Sequence, residues 1–440
     1  MKAYALRPGH MDKPRYVYDI DVLPPLRYVL LYGLQWAIVI FPSLIIVASL
    51  GVRALQLSAG QEVRFFQLLL LVSGLFSIIQ TLWGHRYPIM DGPSTALLLT
   101  FLVLAPYGVR IIQGGTIAGG LLLIGLVVSG KLHRLLVYAT PNVVGVILML
   151  IAFSLLPYLI ASVIGKDDAH PYGNNQVFAL SIALVLAMAA FSHWFEGFWK
   201  TVSLLLGMII GSILFFLIQP PGRNPLGTAP WLSFPSAWPF TAPGFYWPAV
   251  AAMASSYLAV VVNSLGSIHG VAALTDTERL PSAVTRGIFL NGAAGICCGL
   301  LGIVGMVSYS MSPGVILANR VASRHAVACG GILLIVAAFA PKLAAILAMI
   351  PAPVVASAMC VAMGAQVGAA LGIVVQGDFN GRDYFVVGIP VFLGTLVSFL
   401  PPLFLESMPI HLRVFLGNGL VVGIFLVLSL EHVLLRKRRS

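Results

Sequence analysis

The chain has 440 residues, of which 59% are hydrophobic and only 9% charged, with a mean hydropathy of +0.98. Soluble domains carry about a quarter charged residues, so a water-soluble chain is excluded and a polytopic membrane protein indicated. The net charge of +11 does not signal nucleic acid, because Lys and Arg are spread over interhelical connections and tails and are not gathered on one face. Cys297, Cys298, Cys329 and Cys360 lie in apolar surroundings without metal-ligand spacing and read as small packing residues.

A span takes about 20 residues. Apolar stretches run, in order, over roughly 27–50, 65–83, 88–106, 111–130, 141–164, 177–194 and 199–218, and then over roughly 247–273, 285–304, 308–320, 325–346, 350–375, 383–402 and 411–435. This predicts an all-α fold of 14 transmembrane segments. A cytoplasmic tail (1–26) precedes a first seven-span repeat (27–218). An extracytoplasmic loop (219–246), a second repeat (247–435) and a basic tail (436–440) follow. With both termini cytoplasmic, 18 of the 25 Lys and Arg fall inside, as the positive-inside rule requires. Asp167-Asp168, the adjacent acidic pair, falls in an outer loop beside Lys166 and reads as a solvated face.

Lys131-Leu132 is followed twelve positions on by Val143-Val144, with Pro141 between; Lys342-Leu343 is followed at the same interval by Val354-Val355, with Pro351 and Pro353 between. The copies occupy equivalent points of the two halves on opposite sides of the predicted membrane. That is the pattern of an inverted repeat, whose solute site lies where the halves meet.

Two segments resist a simple helix: Tyr87-Pro88-Ile89-Met90-Asp91-Gly92-Pro93-Ser94-Thr95, and Ser308-Tyr309-Ser310-Met311-Ser312-Pro313-Gly314. Proline lacks a backbone donor and disfavours helix for the residue before it, so extended chain is expected ahead of each half-helix. Half-helices starting within the membrane would present free N–H groups and positive dipole ends to a solute. Asp91, an acid at the first break, is a candidate for the proton or cation coupling site; it is equally suited to capping the half-helix that follows.

The run Arg286-Gly287, Asn291-Gly292, Gly299-Leu300-Leu301-Gly302, Ser308-Tyr309, Pro313-Gly314-Val315-Ile316, Arg320-Val321-Ala322-Ser323-Arg324, Pro341-Lys342 and Ile350-Pro351-Ala352-Pro353-Val354 resembles the nucleobase/ascorbate transporter family, also called the nucleobase:cation symporter-2 or xanthine/uracil permease family. Gly33-Leu34-Gln35, Gly92-Pro93-Ser94, and Pro141 with Gly145 extend the likeness over 27–435. The resemblance implies two inverted repeats of seven helices. A core domain would comprise 27–132 and 247–346, and a gate domain 141–218 and 347–435, the latter often at a homodimer interface. It also implies a permease rather than an enzyme, in a bacterial inner membrane. The substrate would be a small heterocycle of the uracil, xanthine or purine class, moved with a proton or Na+, with no cofactor, metal or nucleic acid.

Two positions depart from the family pattern. The eighth-span glutamate that hydrogen-bonds the base aligns with Asn263, within Asn263-Ser264-Leu265-Gly266-Ser267, and the polar head of the tenth-span signature aligns with Met311-Ser312. Asn263 offers an acceptor and two donors to the amide edge of a ring but no proton; Met311 offers a soft apolar wall. The expected substrate-binding set is therefore Asn263, Met311, Ser312, Gly314, Thr95, Ser94, Gly92, Ser267 and Gln35, with selectivity leaning on the amides near Thr95 and Gly314. His269 reads as structural. An alternative on the same fold is a small-anion or carboxylate transporter or uniporter, since helix N-termini bind anions without a carboxylate partner.

Overall fold

The computed structural model describes residues 16–166, 170–219, 226–227, 229–236, 242–375 and 380–436. Asp167-Asp168, most of the 1–26 tail and much of the 219–246 loop lie outside the described residues. The first half runs α1 (Leu26–Ala54), α2 (Ala59–Leu82), β1 (Asp91–Pro93), α3 (Thr95–Leu104), α4 (Val109–Val128), α5 (Leu132–Leu136), α6 (Pro141–Ser154), α7 (Leu156–Val163), α8 (Asn175–Trp194) and α9 (Gly197–Ile218). The second runs α10 (Trp247–Leu274), α11 (Leu280–Leu301), β2 (Met306–Ser308), α12 (Ser312–Asn319), α13 (Arg324–Ala338), α14 (Pro341–Ala348), α15 (Ala352–Val375), α16 (Gly381–Ser398), α17 (Pro402–Glu406), α18 (Ile410–Leu416) and α19 (Gly419–Ser429).

Among the described residues, eight helical segments are long and apolar enough to cross a membrane, with α6 and α7 counted as one. Three predicted spans are broken. The stretch read as 325–346 is α13 and α14, bent by 91°, because Pro341 suits the start of a helix and not its interior. The 141–164 stretch divides at Leu155, ahead of Pro157 in the first turn of α7. The last stretch divides at Gly417 and Asn418, where the Asn418 side chain accepts from the Val421 amide and caps α19.

Packing is reciprocal between the halves. The most extensive contacts join α4 to α11 and α2 to α13, and α10 on α4 mirrors α1 on α13. Glycine permits both main contacts. A Cβ on Gly74 would stand 2.5 Å from the Gly331 carbonyl, and one on Gly120 would stand 2.6 Å from the Gly292 carbonyl, so each helix pair approaches backbone to backbone as small residues allow. The halves also join through β1 and β2, which pair antiparallel with Asp91 opposite Ser308, Gly92 opposite Val307 and Pro93 opposite Met306.

The described end of the N-terminal tail crosses the α12–α13 junction. Val17 N donates to Arg320 O (2.9 Å), Ala322 N to Tyr18 O (2.9 Å) and Arg324 N to Ile20 O (3.0 Å). Asp21 pairs there with Arg279 at 2.9 Å and Arg324 at 2.8 Å, and the Arg279 hydrogen bond holds its carboxyl below the usual carboxylate range.

Candidate substrate site at the broken segments

Pro88, Gly92 and Pro93 deny the first break a helix, and the extended chain they leave finds its backbone partners in the second break. Ser94 N donates to Gly305 O at 2.8 Å and Tyr309 N to Met90 O at 3.0 Å. The Tyr309 hydroxyl donates to Pro93 O at 3.0 Å, and its ring lies so close that a Cβ on Gly92 would fall 2.8 Å from it. The two stretches therefore lie against each other in direct contact. Main-chain groups between them serve one another. In the first turns of the following helices, Leu97 N is capped by Ser94, Ser312 N donates to Tyr309 O and Val315 N to Met311 O, which leaves the amides of Thr95, Ala96 and Gly314 to face a solute.

The second break also starts earlier than Pro313 suggests. The extended piece is Met306–Ser308, while Pro313 sits in the first turn of α12, where its missing N–H costs nothing.

Four of the expected ligands are committed to holding these elements. Ser94 is the N-cap of α3, accepting from Leu97 N at 3.3 Å. The capping role open to Asp91 therefore belongs to Ser94. Ser312 Oγ accepts from Met90 N at 3.3 Å, Gln35 Nε2 donates to Asn319 Oδ1 at 2.8 Å, and Ser267 Oγ reaches Ser308 O at 2.8 Å and Asn263 O at 2.9 Å. His269 bonds the Leu265 carbonyl within its own helix. Asp276 pairs with Arg279 at 2.7 Å, just beyond the end of α10.

Gly92 is closed off as well, buried beneath the Tyr309 ring; the other positions are more open. Asn263 and Thr95 are half-buried, Gly266 and Gly314 are exposed, and a Cβ at either glycine would have nothing within 4 Å. Met311 is 37% exposed. A close contact of Gly270 with Pro313 (3.1 Å from an added Cβ) brings α10 and α12 together. The more open positions on these two helices are an apolar thioether, an amide side chain and two bare stretches of backbone, groups that suit a flat, partly polar solute.

Asp91 is sealed at 1% exposure. Its Oδ1 accepts from Ser308 Oγ at 2.8 Å, and its Oδ2 stands 3.5 Å from Nε2 of His85. Sequence reasoning missed His85. It follows Gly84 in what reads as a polar connection, and only the fold turns it inward. Gln80, Asn291 and Ser264 were missed likewise; Gln80 Nε2 donates to Asn291 Oδ1 (3.0 Å) and Asn291 Nδ2 to Ser264 Oγ (2.6 Å). Among the described residues no group of three or more His, Cys, Asp or Glu could hold a metal.

Long apolar helices interlocked through two broken segments define a multi-pass membrane transporter. The chain belongs to the xanthine/uracil permease family, whose profile, described as "Permease family", matches residues 27–403, and it is thus a permease and not an enzyme. It is 26% identical to the uric acid permease PucK of Bacillus subtilis over 410 residues, covering 91% of this chain and 94% of that one. It is 26% identical to the nucleobase transporter PlUacP of Paenibacillus larvae over 402 residues, covering 90% and 92%, and 23% identical to the xanthine permease of Bacillus subtilis over 408 residues, covering 91% and 92%. In fold it is similar to the transmembrane domain of the cyanobacterial bicarbonate transporter BicA, with a TM-score of 0.58 at 15% identity over 85% of this chain and 97% of that one. It is also similar to the murine anion transporter Slc26a9 in its inward-facing state, with a TM-score of 0.62 at 11% identity over 92% and 68%.

Proposed function

We infer that this permease is a secondary active transporter of a nucleobase-like heterocycle of the uracil, xanthine or purine class. The observation that carries this reading is the set of open positions on α10 and α12: half-buried Asn263, exposed Met311 and the bare backbone at Gly266 and Gly314. An amide side chain and helix-terminal N–H groups match the alternating donors and acceptors of such a ring, and Met311 matches its flat apolar face. The names of the relatives, uric acid, nucleobase and xanthine permeases, support the same class.

The reading includes 14 membrane segments as two inverted repeats, both termini in the cytoplasm of a bacterial inner membrane, and a homodimer formed through the gate. A core (27–132 and 247–346) carries the solute past that gate (141–218 and 347–435) in an elevator-type movement. Such movement would break the link in which Asn418 Nδ2 donates to Thr100 Oγ1 at 2.8 Å, with Thr100 hydrogen-bonded to Ser256 on α10. Asp91 is the coupling residue.

The test is a thermal-shift screen of the detergent-purified protein against uracil, xanthine, adenine, urate, ascorbate and small carboxylates. A ligand at a hundred times its Kd stabilises by about 2.7 kcal/mol. Stabilisation by a heterocycle, lost in Asn263→Ala, is the expected result. Stabilisation by carboxylates alone would move the assignment to anion transport.

A further inference from the structure

Asp91 and His85 are 1% and 0% exposed, and Oδ2 and Nε2 face each other at 3.5 Å, neither with a hydrogen-bond partner among the described residues. Buried polar atoms left so are costly, and packing alone gives no reason to keep two of them face to face.

The neighbours fix where protons can sit. Tyr87 N–H donates to His85 Nδ1 at 3.1 Å, so Nδ1 is the acceptor nitrogen and the imidazole proton is on Nε2, directed at Asp91. From the other side the Ser308 hydroxyl donates to Asp91 Oδ1 at 2.8 Å. Both carboxylate oxygens thus face donors. A hard cation needs surrounding oxygen ligands, and an N–H aimed at its place would repel it. A proton needs a single lone pair.

Few other titratable groups compete. Tyr309, beyond β2, lies within electrostatic reach of Asp91 and gives its hydroxyl proton to Pro93 O. Cys298 of α11 lies against Met306 of β2. The helices α1 and α2 both pack on β1 and carry their charges, Arg27, Arg53, Glu62 and Arg64, near their ends.

We propose that Asp91 is the proton-binding site of the transport cycle, with His85 as its positioning residue and the proton taken up on Oδ1 as the Ser308 hydroxyl turns from donor to acceptor. Protonation of Oδ2 would set its O–H against the Nε2–H, whereas Oδ1 requires only rotation of one hydroxyl. The Ser308 carbonyl accepts from Ser267 Oγ, which also bonds Asn263 O, so the proton's arrival is felt three residues away at the α10 face where the solute is assigned. This proposal rests on the coupled-transport reading and commits it to a proton rather than Na+.

The test uses the full-length protein in liposomes. Infrared titration without solute follows the C=O stretch of a protonated, sealed carboxyl. Wild type shows a titrating band, Asp91→Asn removes it, and His85→Gln and Ser308→Ala move its midpoint. In the second arm, radiolabelled xanthine is accumulated under an imposed pH gradient or exchanged by counterflow without one. Accumulation in Asp91→Asn falls relative to counterflow by about tenfold, within the usual range of coupling between two ligands, and an imposed Na+ gradient drives no accumulation in wild type. A band that survives Asp91→Asn, or wild-type accumulation in that variant, overturns the proposal. Should Asp91→Asn not fold, an unmoved midpoint in both His85→Gln and Ser308→Ala overturns it equally. If wild type moves no xanthine, urate or uracil, the heterocycle reading fails, while the infrared arm still decides whether Asp91 takes the proton.

Discussion

The two broken segments meet edge to edge yet differ in how the helix that follows each one begins. In the first, Asp91, Gly92, Pro93 and Ser94 are all buried, Ser94 caps α3, and Gly92 is closed over by the Tyr309 ring. In the second, Met306, Val307 and Ser308 are buried as well, but α12 follows Met311 with no side-chain cap, and a Cβ at Gly314 would have nothing within 4 Å. Two segments that pair with each other therefore need not be closed alike.

The contrast can be broken most directly at the glycines. Gly92→Val would push a side chain into Tyr309 and Ile40, and overpacking of this kind costs about 1–3 kcal/mol. Its thermal midpoint in detergent should fall clearly below wild type, and an undiminished midpoint would show that the first break is not closely packed around Gly92. Ser94→Ala removes a helix cap, with an expected loss of about 1 kcal/mol, read in the same melt. Gly314→Ala and Met311→Ala should leave stability within about 0.5 kcal/mol of wild type, while lowering uptake of the heterocycle that the thermal screen identifies; unaltered uptake in both would move the solute away from α12.

The smallest effect concerns the tail. Asp21 is held below its ordinary carboxylate value by Arg279, so the folded state binds this proton less readily than the unfolded chain. The contribution is present at neutral pH and lost as pH falls through the folded value. Because Asp21 is half exposed, the effect should be a modest loosening of the 16–22 segment in acid. Hydrogen exchange would detect it, and Asp21→Asn should show the looser state at every pH.

Much of this architecture is legible in the sequence because long apolar helices announce themselves. The stretch read as 247–273 is α10 within one residue, and Pro88, Gly92 and Pro93 mark the first break where β1 forms. The second break is harder. Ile303-Val304-Gly305-Met306-Val307 contains no proline, and a short apolar run looks alike as strand or buried helix; Pro313 drew attention to a position that is already helical. For the site, polar residues in apolar segments are visible, but their partners are not. Ser94, Ser267, Ser312 and Gln35 satisfy neighbours distant in sequence, and His85 gains its place only when β1 folds back along α2.

The glycine-mediated contacts of α2 with α13 and α4 with α11 bear on how the chain is made. Each half carries helices whose main partners belong to the other, so the first must wait in the bilayer with its narrow, glycine-lined grooves unfilled until translation delivers the second. Two separately expressed halves should consequently be short-lived alone and rescued when made together, and enlarging Gly74 or Gly120 should act as a defect of assembly before it is one of transport.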